Sequence, residues 1–394
     1  MENNRTFLEK LLDGAEVEWR TLGEVSELRN TGVDKKINES EKSVRLLNFT
    51  DVFNNQYLSN STPTMIVTAS DKKIIDCNIL KGDLFITPTS EILDEIGQSA
   101  VALENIDNAV YSYHIMRIRI HDTNFLLPEF LNYLFRTSQI KQQIRKNAQG
   151  ITRFGLTLPR WKSLVIPIPP LSVQTEIVKI LDALTALTSE LTSELTSELT
   201  LRRKQYEYYR EKLLSFDSLE QLNMGGAKKK LIDVCINIFS GKNKERNDSG
   251  LYPIYGSTGI IGKTNKKEFS NEQILVARVG ANAGYVHIAQ GEYDVSDNTL
   301  IIQHNKNIDL KFLYHTLVNM KLNQYAKGAG QPLITAGQLK LMEINVPPLE
   351  EQQRIVSILD KFETLTNSIT EGLPLAIEQS QKRYEYYREL LLSF

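Results

Sequence analysis

One long stretch of sequence occurs twice in this chain. Residues 166–216 read IPIPPLSVQTEIVKILDALTALTSELTSELTSELTLRRKQYEYYREKLLSF, and residues 344–394 read INVPPLEEQQRIVSILDKFETLTNSITEGLPLAIEQSQKRYEYYRELLLSF. The two copies align without a gap, from Ile166 with Ile344 to Phe216 with Phe394, and both contain PPL, ILD, YEYYRE and LLSF. Such self-similarity indicates that one structural unit is built twice.

Each copy predicts a long α-helix, because two prolines end the preceding strand and apolar residues then recur at helical spacing. The first helix would run from Ser172 to Phe216 and contains the tetrapeptide TSEL three times, from Thr188 to Leu199. The second copy has Gly372 and Pro374 at the equivalent place, which predicts a break. Two long amphipathic helices in one chain most simply pack antiparallel as a coiled coil. The predicted helix-packing residues are Ile177, Leu181, Leu184, Leu191, Leu195, Leu199, Tyr206, Ile355, Leu359 and Tyr384.

The segments that precede the two helices also resemble each other, though less clearly. WRTLGEV from Trp19 is similar to KKLIDV from Lys229, and both segments combine short β-rich runs with one amphipathic helix near the end, at about 128–147 and 309–326. The sequence therefore predicts an α+β fold with an internal pseudo-two-fold repeat, in which two long antiparallel helices separate two globular domains. The predicted parts are a helical stub at 1–16, a first globular domain at 17–166, the central helix at 167–216, a linker at 217–227, a second globular domain at 228–344 and a C-terminal helix at 345–394.

Composition narrows the class of protein. Hydrophobic residues make up 41% and charged residues 24%, which is ordinary for a soluble globular protein. No apolar run is long enough to span a membrane and no secretory signal is evident, so we expect a cytoplasmic protein without a membrane partner. The 2 cysteines and 5 histidines show no disulfide or metal-ligand spacing, so we expect no bound metal.

The net charge of −2 conceals a segregation of charge along the chain. Residues 228–346 carry an excess of positive charge, whereas the helices carry an excess of negative charge. No acidic residue lies between Glu129 and Glu176 or between Asp309 and Glu343. A solvated basic helix face would explain one such region, but two at matching places favour a surface that faces DNA phosphates. The first-domain candidates are Arg136, Lys141, Arg145, Lys146, Arg153, Arg160 and Lys162.

In the second domain, the DNA-binding candidates are polar or aromatic residues in glycine-rich or strand-end settings, where loops commonly face ligands. A structural role in turns is an equally good interpretation of each. They are Tyr255, Ser257, Thr258, Lys263, Arg278, Lys327 and Gln331.

No motif predicts catalysis by this chain. Ser257 to Thr264 approaches the phosphate-binding pattern GxxxxGK[ST], but serine replaces the first glycine and a poor helix start follows. NVPPL at 345–349 only approaches an adenine-methyltransferase motif, because valine intervenes and leucine replaces the aromatic residue. No acidic residue has a recognisable general acid/base partner. We therefore expect that the chain is not an enzyme by itself.

These motifs resemble a known family. The PPLxxQ…IVxILD junctions and the YEYYRExLLSF helix ends are similar to the specificity (S) subunit of type I restriction-modification enzymes. The TSEL array, residues 365–374 and residues 8–14 resemble the type IC group of that family. YPIYGSTGIIG at 252–262 is similar to a run found in the target recognition domains of these subunits.

The resemblance implies that each globular domain is a target recognition domain that reads one half of a bipartite, asymmetric sequence in double-stranded DNA. It also implies that the long helices fix the spacing and dock two modification subunits, which methylate adenine N6, and that restriction subunits add cleavage. S-adenosylmethionine, ATP and Mg would then be bound by the partner subunits and none by this chain. The alternatives are a non-catalytic coiled-coil adaptor that binds protein or glycan through its two lobes, and a nuclease or ATPase.

The TSEL array then predicts a molecular ruler. One tetrapeptide of α-helix advances about 6 Å and overshoots a full turn by about 40°. One base pair of B-DNA turns about 34–36°, from a repeat of about 10–10.5 base pairs per turn. The similar rotation predicts that each TSEL unit corresponds to one base pair of the spacer between the half-sites.

Overall fold

The computed structural model describes residues 7–215, 227–244, 249–328, 330–368 and 371–394. The chain divides into two compact units, which we call unit 1 (Met1–Thr192 and Gln379–Phe394) and unit 2 (Ser193–Glu378). Of the predicted linker at 217–227, only Ala227 is among the described residues, and the predicted stub is described from Phe7 onward.

Both units contain helices and strands. The α-helices are α1 (Phe7–Leu12), α2 (Leu22–Val25), α3 (Phe49–Asn54), α4 (Asp71–Asp76), α5 (Pro128–Leu134), α6 (Ser138–Asn147), α7 (Leu158–Lys162), α8 (Leu171–Leu214), α9 (Leu310–Asn319), α10 (Ala336–Leu341), α11 (Leu349–Asn367) and α12 (Leu373–Leu391). Short 3₁₀ helices lie at Leu93–Glu95, Leu231–Val234 and Leu322–Tyr325.

The strands of unit 1 are β1 (Glu18–Thr21), β2 (Ser26–Arg29), β3 (Lys42–Leu47), β4 (Tyr57–Leu58), β5 (Met65–Ala69), β6 (Leu84–Ile86), β7 (Thr89–Ser90), β8 (Ser99–Ala102), β9 (Ala109–Tyr111), β10 (Met116–Ile120), β11 (Phe154–Gly155) and β12 (Val165–Ile168). The strands of unit 2 are β13 (Ala227–Lys230), β14 (Cys235–Ser240), β15 (Tyr252–Gly256), β16 (Gly259–Thr264), β17 (Gln273–Ala277), β18 (Val286–Ala289), β19 (Asp294–Val295), β20 (Thr299–His304) and β21 (Glu343–Val346).

The two units share one sheet topology. The main sheet has the order β2-β10-β6-β8-β4 in unit 1 and β14-β20-β17-β18 in unit 2, so unit 1 adds only the edge strand β4. The second sheet has the order β5-β3-β9 in unit 1 and β16-β15-β19 in unit 2, with one antiparallel and one parallel pair in each. The pairs β1-β12 and β13-β21 complete the match. The prediction of an α+β fold with an internal repeat and long antiparallel helices is therefore confirmed.

A buried glutamine connects the start of each long helix to the preceding segment. The Gln174 side chain accepts a hydrogen bond from the Leu127 N–H at 2.9 Å and donates to the carbonyls of Phe125 at 2.9 Å and Pro169 at 2.8 Å. Gln352, its counterpart in the second copy, makes the same pattern of bonds in unit 2 with Asp309 (2.7 Å), Asn307 (3.5 Å) and Pro347 (2.7 Å). Each amide satisfies the carbonyl of the first proline of the diproline turn and two backbone groups of the segment that precedes α5 or α9, which explains why glutamine occurs in both copies.

The long helices pack in antiparallel pairs within each unit. In unit 1, Ile177 and Leu181 share a core with Leu391 and Leu392, and the Thr185 hydroxyl donates to the Tyr384 hydroxyl at 3.1 Å.

In unit 2, the Tyr209 ring stacks on Phe362 at 5.6 Å, and Arg203 donates to the carbonyl of Thr366. Ile355 and Leu359 are fully buried there, and Tyr206 lies in the same core.

The predicted difference between the two long helices is confirmed. α8 is continuous over 44 residues, whereas its counterpart ends at Asn367 and resumes at Leu373. Gly372 has a φ of 89°, and a Cβ there would lie 2.6 Å from the carbonyl oxygen of Thr364. No helix within the described ranges is both long and apolar enough to cross a bilayer.

The predicted helix at 128–147 is in fact two helices, α5 and α6. Thr137 has an extended backbone and its hydroxyl accepts a hydrogen bond from the N–H of Ile140, so it starts a new helix. The predicted helix at 309–326 likewise ends at Asn319, because Lys321 has a left-handed φ of 48°.

Candidate nucleic-acid interface

The loops at one end of the unit 2 sheets form a continuous surface, which we call the unit 2 loop edge. It comprises residues 240–244, 256–259, 278–280, 296–298 and 327–333, except residue 329, which lies outside the described residues. Backbone bonds hold these loops together. The N–H of Gly241 donates to Thr299, that of Arg278 to Asn298 and that of Ser296 to Tyr255, each at 2.9 Å.

Three of the predicted DNA-binding residues of unit 2 meet at this edge. The carbonyl of Arg278 accepts from the N–H of Ile334 at 2.9 Å, and Lys327 and Leu333 exchange two backbone bonds at 3.0 and 2.9 Å. Arg278, Lys327 and Gln331 therefore lie on adjacent segments.

Ser257 and Thr258 form the turn between β15 and β16 at the same edge. Lys263 lies further along β16, opposite Pro253, and so is at the end of the hairpin away from this turn. The run that approached a phosphate-binding pattern is thus a β-hairpin, without the helix start that such a site requires.

Tyr255 belongs to a row of aromatic rings. It stacks on His287 at 6.1 Å, and His287 lies 5.7 Å from the half-exposed ring of Tyr285. Burial lowers the pKa of His287 to about 4, and neither ring nitrogen has a hydrogen-bond partner among the described residues. His287 is therefore neutral at physiological pH.

A cavity of about 650 Å³ opens beside the unit 2 loop edge. Lys242, Lys244 and Lys266 lie around it, Phe239 and Phe269 supply aromatic surface, and their rings are 6.4 Å apart. Glu268 and Asp294 also line this cavity, so its charge is mixed, and only its aromatic surface and lysines suit a nucleic-acid strand.

At the corresponding end of the unit 1 sheets, residues 30, 88–89, 113–114 and 153 form what we call the unit 1 loop edge, which lines a cavity of about 350 Å³. Asn30, Thr89, Tyr113, His114 and Arg153 contribute its polar lining. Burial, and after it the positive charges of Lys35 and Arg153, lower the pKa of His114. A neutral histidine offers one donor and one acceptor, as the edge of a base requires.

Four of the seven cations predicted for DNA binding in unit 1 are engaged within the protein. Arg136 is half-buried and donates to the carbonyl of Ser99 at 3.2 Å, and desolvation lowers its pKa. Lys141 donates to the carbonyls of Asp94 and Ile96, both at 3.0 Å, and burial lowers its pKa to about 8.

Arg145 forms an ion pair with Asp94 at 2.8 Å, and Arg160 donates to the carbonyl of Asn147 at 2.7 Å. Lys146, Arg153 and Lys162 are exposed and have no acidic partner among the residues that the structure describes. Those three are the cations of this set that face solvent without a counter-ion.

The predicted helix-packing residues differ in burial along α8. Ile177 and Leu181 are fully buried, Leu184 is half-buried, and Leu191 in the TSEL array is 42% exposed. Leu195 and Leu199 are half-buried, as is Tyr384.

An aspartate at equivalent positions of the two copies anchors each long helix. Asp182 accepts hydrogen bonds from the hydroxyls of Tyr57 and Tyr133. In unit 2, Asp360 instead accepts from His315 Nε2 at 3.0 Å and pairs with the Lys311 ammonium. Candidate ligand atoms of His315, Asp360 and Glu363 lie within 4.8 Å of one another, but Lys311 already supplies the positive charge there.

The chain matches the model of one protein family over residues 15–201 and 226–379, described as the type I restriction modification DNA specificity domain. The chain belongs to this family. A type I restriction enzyme specificity subunit of Haemophilus influenzae is 40% identical to it over 100% of both chains. The EcoprrI specificity subunit of Escherichia coli is 33% identical, over 93% of this chain and 92% of that one. These relatives are specificity subunits, in agreement with the expectation that the chain is not an enzyme by itself.

Two solved structures share the fold. The HsdS subunit of Thermoanaerobacter tengcongensis has a TM-score of 0.60 at 19% identity, over 96% of this chain and 95% of that one. A chain solved in a study of complex assembly in a type I restriction-modification system has a TM-score of 0.70 at 18% identity, over 95% and 97%.

Sequence reasoning missed the residues that line the unit 1 cavity together with Arg153, namely Asn30, Thr89, Tyr113 and His114. They come from three separate segments of the chain, because only Tyr113 and His114 are adjacent, and no short motif links them. The gapless alignment of the two copies, extended back past the diproline junction, pairs Arg153 with Gln331, but it gives no signal for these four residues.

Proposed function

We propose that this chain is the DNA-reading subunit of a type I restriction-modification complex and that each unit reads one half of a bipartite, asymmetric target. One observation carries this proposal: the same fold occurs twice, with the same loop edge but different side chains on it. Two similar scaffolds with different loops suit two different half-sites.

The long helices would bind the partner subunits of the restriction-modification complex. Each ends in a pair of exposed tyrosines, Tyr208 with Tyr209 and Tyr386 with Tyr387, whose rings are 5.4 Å apart in both pairs. Exposed aromatic side chains favour protein contacts, so we propose that each pair forms part of a docking surface for one modification subunit. Restriction subunits would join the same complex in the cytoplasm, with S-adenosylmethionine, ATP and Mg bound by the partners. Membership of the type IC group stays a prediction.

DNA binding by the full chain with its modification partner tests the proposal. We expect a bipartite motif in sequences selected from a randomised duplex library, and an affinity that falls steeply with salt. Binding that lacks any sequence preference and any salt dependence would instead favour the adaptor that binds protein or glycan.

We further propose that the TSEL array sets the spacer length. The division between the two units falls inside the array, between Thr192 and Ser193, and α8 is continuous through it. Deletion of Thr192–Leu195 removes about 6 Å and about 40° of helix. Methylome sequencing should then find a spacer shorter by one base pair and unchanged half-sites. As a control, Thr192→Ala with Ser193→Ala keeps the length and should keep the spacer, whereas an unchanged spacer after the deletion would refute the ruler.

A further inference from the structure

One loop occurs at the same place in both units although its sequence differs. In unit 1, Gln149 and Gly155 exchange backbone hydrogen bonds at 2.9 and 3.0 Å. In unit 2, Lys327 and Leu333 do the same at 3.0 and 2.9 Å. The gapless alignment of the two long helices, extended backwards, pairs Gln149 with Lys327 and Gly155 with Leu333. We call residues 149–155 and residues 327–333, without residue 329, the paired tip loops.

A glycine fixes the same turn in both loops. Gly150 has a φ of 130° and Gly328 a φ of 113°, a region that side chains rarely adopt. A Cβ on Gly150 would lie 1.9 Å from the carbonyl oxygen of Arg153, and one on Gly328 would lie 2.8 Å from that of Gln331. The turn therefore brings the backbone of Arg153 or of Gln331 against its glycine, so these two residues occupy equivalent positions.

A hydrogen bond orients the side chain of Arg153, but no acidic residue among those described neutralises its charge. Its Nε–H donates to the Thr89 hydroxyl at 3.1 Å, on the strand β7 that pairs with the loop. The terminal nitrogens have no acidic partner among the described residues, in contrast to Arg145 with Asp94. Gln331 is also exposed, and within the described ranges its amide has no hydrogen-bond partner.

The unit 1 tip loop also presents an apolar side chain to solvent. Ile151 is 94% exposed, although burial of isoleucine is strongly favoured. An apolar side chain beside an oriented arginine suits contact with a thymine methyl group or a base step.

We propose that the paired tip loops read bases, with Arg153 determining a guanine in one half-site and Gln331 determining an adenine in the other. The arginine fork matches O6 and N7 of guanine, and the glutamine amide matches N6 and N7 of adenine. This inference rests on the proposed function, because it assigns residues to the sequence reading proposed above.

Substitution at the two equivalent positions tests the inference. The full chain with its modification partner is challenged with a randomised duplex library, and the base preference is determined position by position. Arg153→Gln should change the preference at one position from guanine to adenine, and Gln331→Arg should make the reverse change in the other half-site. Each should weaken binding to the original target by about 5- to 150-fold.

Two matched variants separate base reading from phosphate contact. Arg153→Lys keeps the charge but loses the planar fork, so guanine discrimination should fall while the salt dependence stays. Lys162→Gln removes an exposed cation outside the loop, and it should weaken binding to all sequences alike, if at all.

The outcomes separate this inference from the proposed function. If the wild-type chain selects a bipartite motif but Arg153→Gln and Gln331→Arg leave every base preference unchanged, the loops do not read bases and only this inference fails. If the wild type selects no motif, the proposed function fails. Circular dichroism checks the folding of each variant, and the two substitutions lie in different units, so each tests the inference independently.

Discussion

Replacement of the buried glutamine at the start of α8 should destabilise unit 1 strongly. Gln174 is fully buried and holds one backbone N–H and two carbonyls. Gln174→Leu keeps most of the volume but leaves these three groups without that partner.

The magnitude follows from the cost of unsatisfied buried groups, about 1–3 kcal/mol each. The Leu127 N–H loses its acceptor and should contribute the larger part, because an unpaired buried N–H is tolerated less well than an unpaired carbonyl. Apolar burial of leucine offsets some of the loss. We therefore expect the free energy of unfolding to fall by about 2–4 kcal/mol.

Urea unfolding followed by tryptophan fluorescence measures this change. Both tryptophans of the chain, Trp19 and Trp161, belong to unit 1, and Trp161 lies in its core. Thr175→Ala removes an exposed hydroxyl one residue away and should change the stability by less than about 0.5 kcal/mol. If Gln174→Leu changes the fluorescence transition as little as Thr175→Ala, the structural role assigned to the repeated glutamine is wrong.

Three further predictions concern other parts of the chain. The pKa of His287 is about 4 in the folded state and about 6.5 in the unfolded state. The free energy of unfolding of unit 2 should therefore be highest above pH 6.5 and should decrease as the pH falls toward 4, by about 2 kcal/mol at pH 5. His287→Phe keeps an aromatic ring but cannot be protonated, so it should abolish this decrease. Urea unfolding followed by circular dichroism measures it, and an equal decrease in the wild type and the variant would contradict the assignment of the pH dependence to His287. Leu181→Ala should cost about 2–5 kcal/mol in the same measurement, whereas Leu191→Ala should cost less than about 1 kcal/mol, and similar losses would disprove the difference in packing. Gly150→Ala should disturb base selection in one half-site and lower the free energy of unfolding by about 1 kcal/mol or more, because a Cβ at this φ of 130° would clash with the backbone of Arg153; an unaltered motif and an unaltered stability would argue against the turn geometry.

The helical part of the fold was predictable because its signals are local and repeated. Diproline turns, heptad-like leucines and the interruption at Gly372 act within a few residues of chain, so the continuous α8 and its broken counterpart followed from the sequence. The β-rich parts were predictable only as a class. Their shared strand order depends on hydrogen bonds between distant segments, as between β2 and β10, and the sequences of these parts have diverged.

The candidate site was predicted as a region but not as a set of contacts. The sequence groups the basic residues between Glu129 and Glu176 by charge, and this grouping stays a prediction. Charge alone does not distinguish Lys141, whose ammonium donates to two carbonyls, from Arg153, which faces solvent. That difference arises from burial against the 3₁₀ helix Leu93–Glu95, which no local pattern reports.

The sequence by itself determined that the molecule is built twice, where each long helix begins, and to which family it belongs. Only the tertiary structure decided which side chains meet at each loop edge, because β-pairing brings together residues as distant as Thr89 and Arg153. The two aspartates that anchor the long helices, Asp182 and Asp360, show the same contrast between what the sequence and what the tertiary structure determines. They occupy the same position in the two copies, but two tyrosines bind Asp182 and a lysine with a histidine bind Asp360, since packing of distant segments determines the partners.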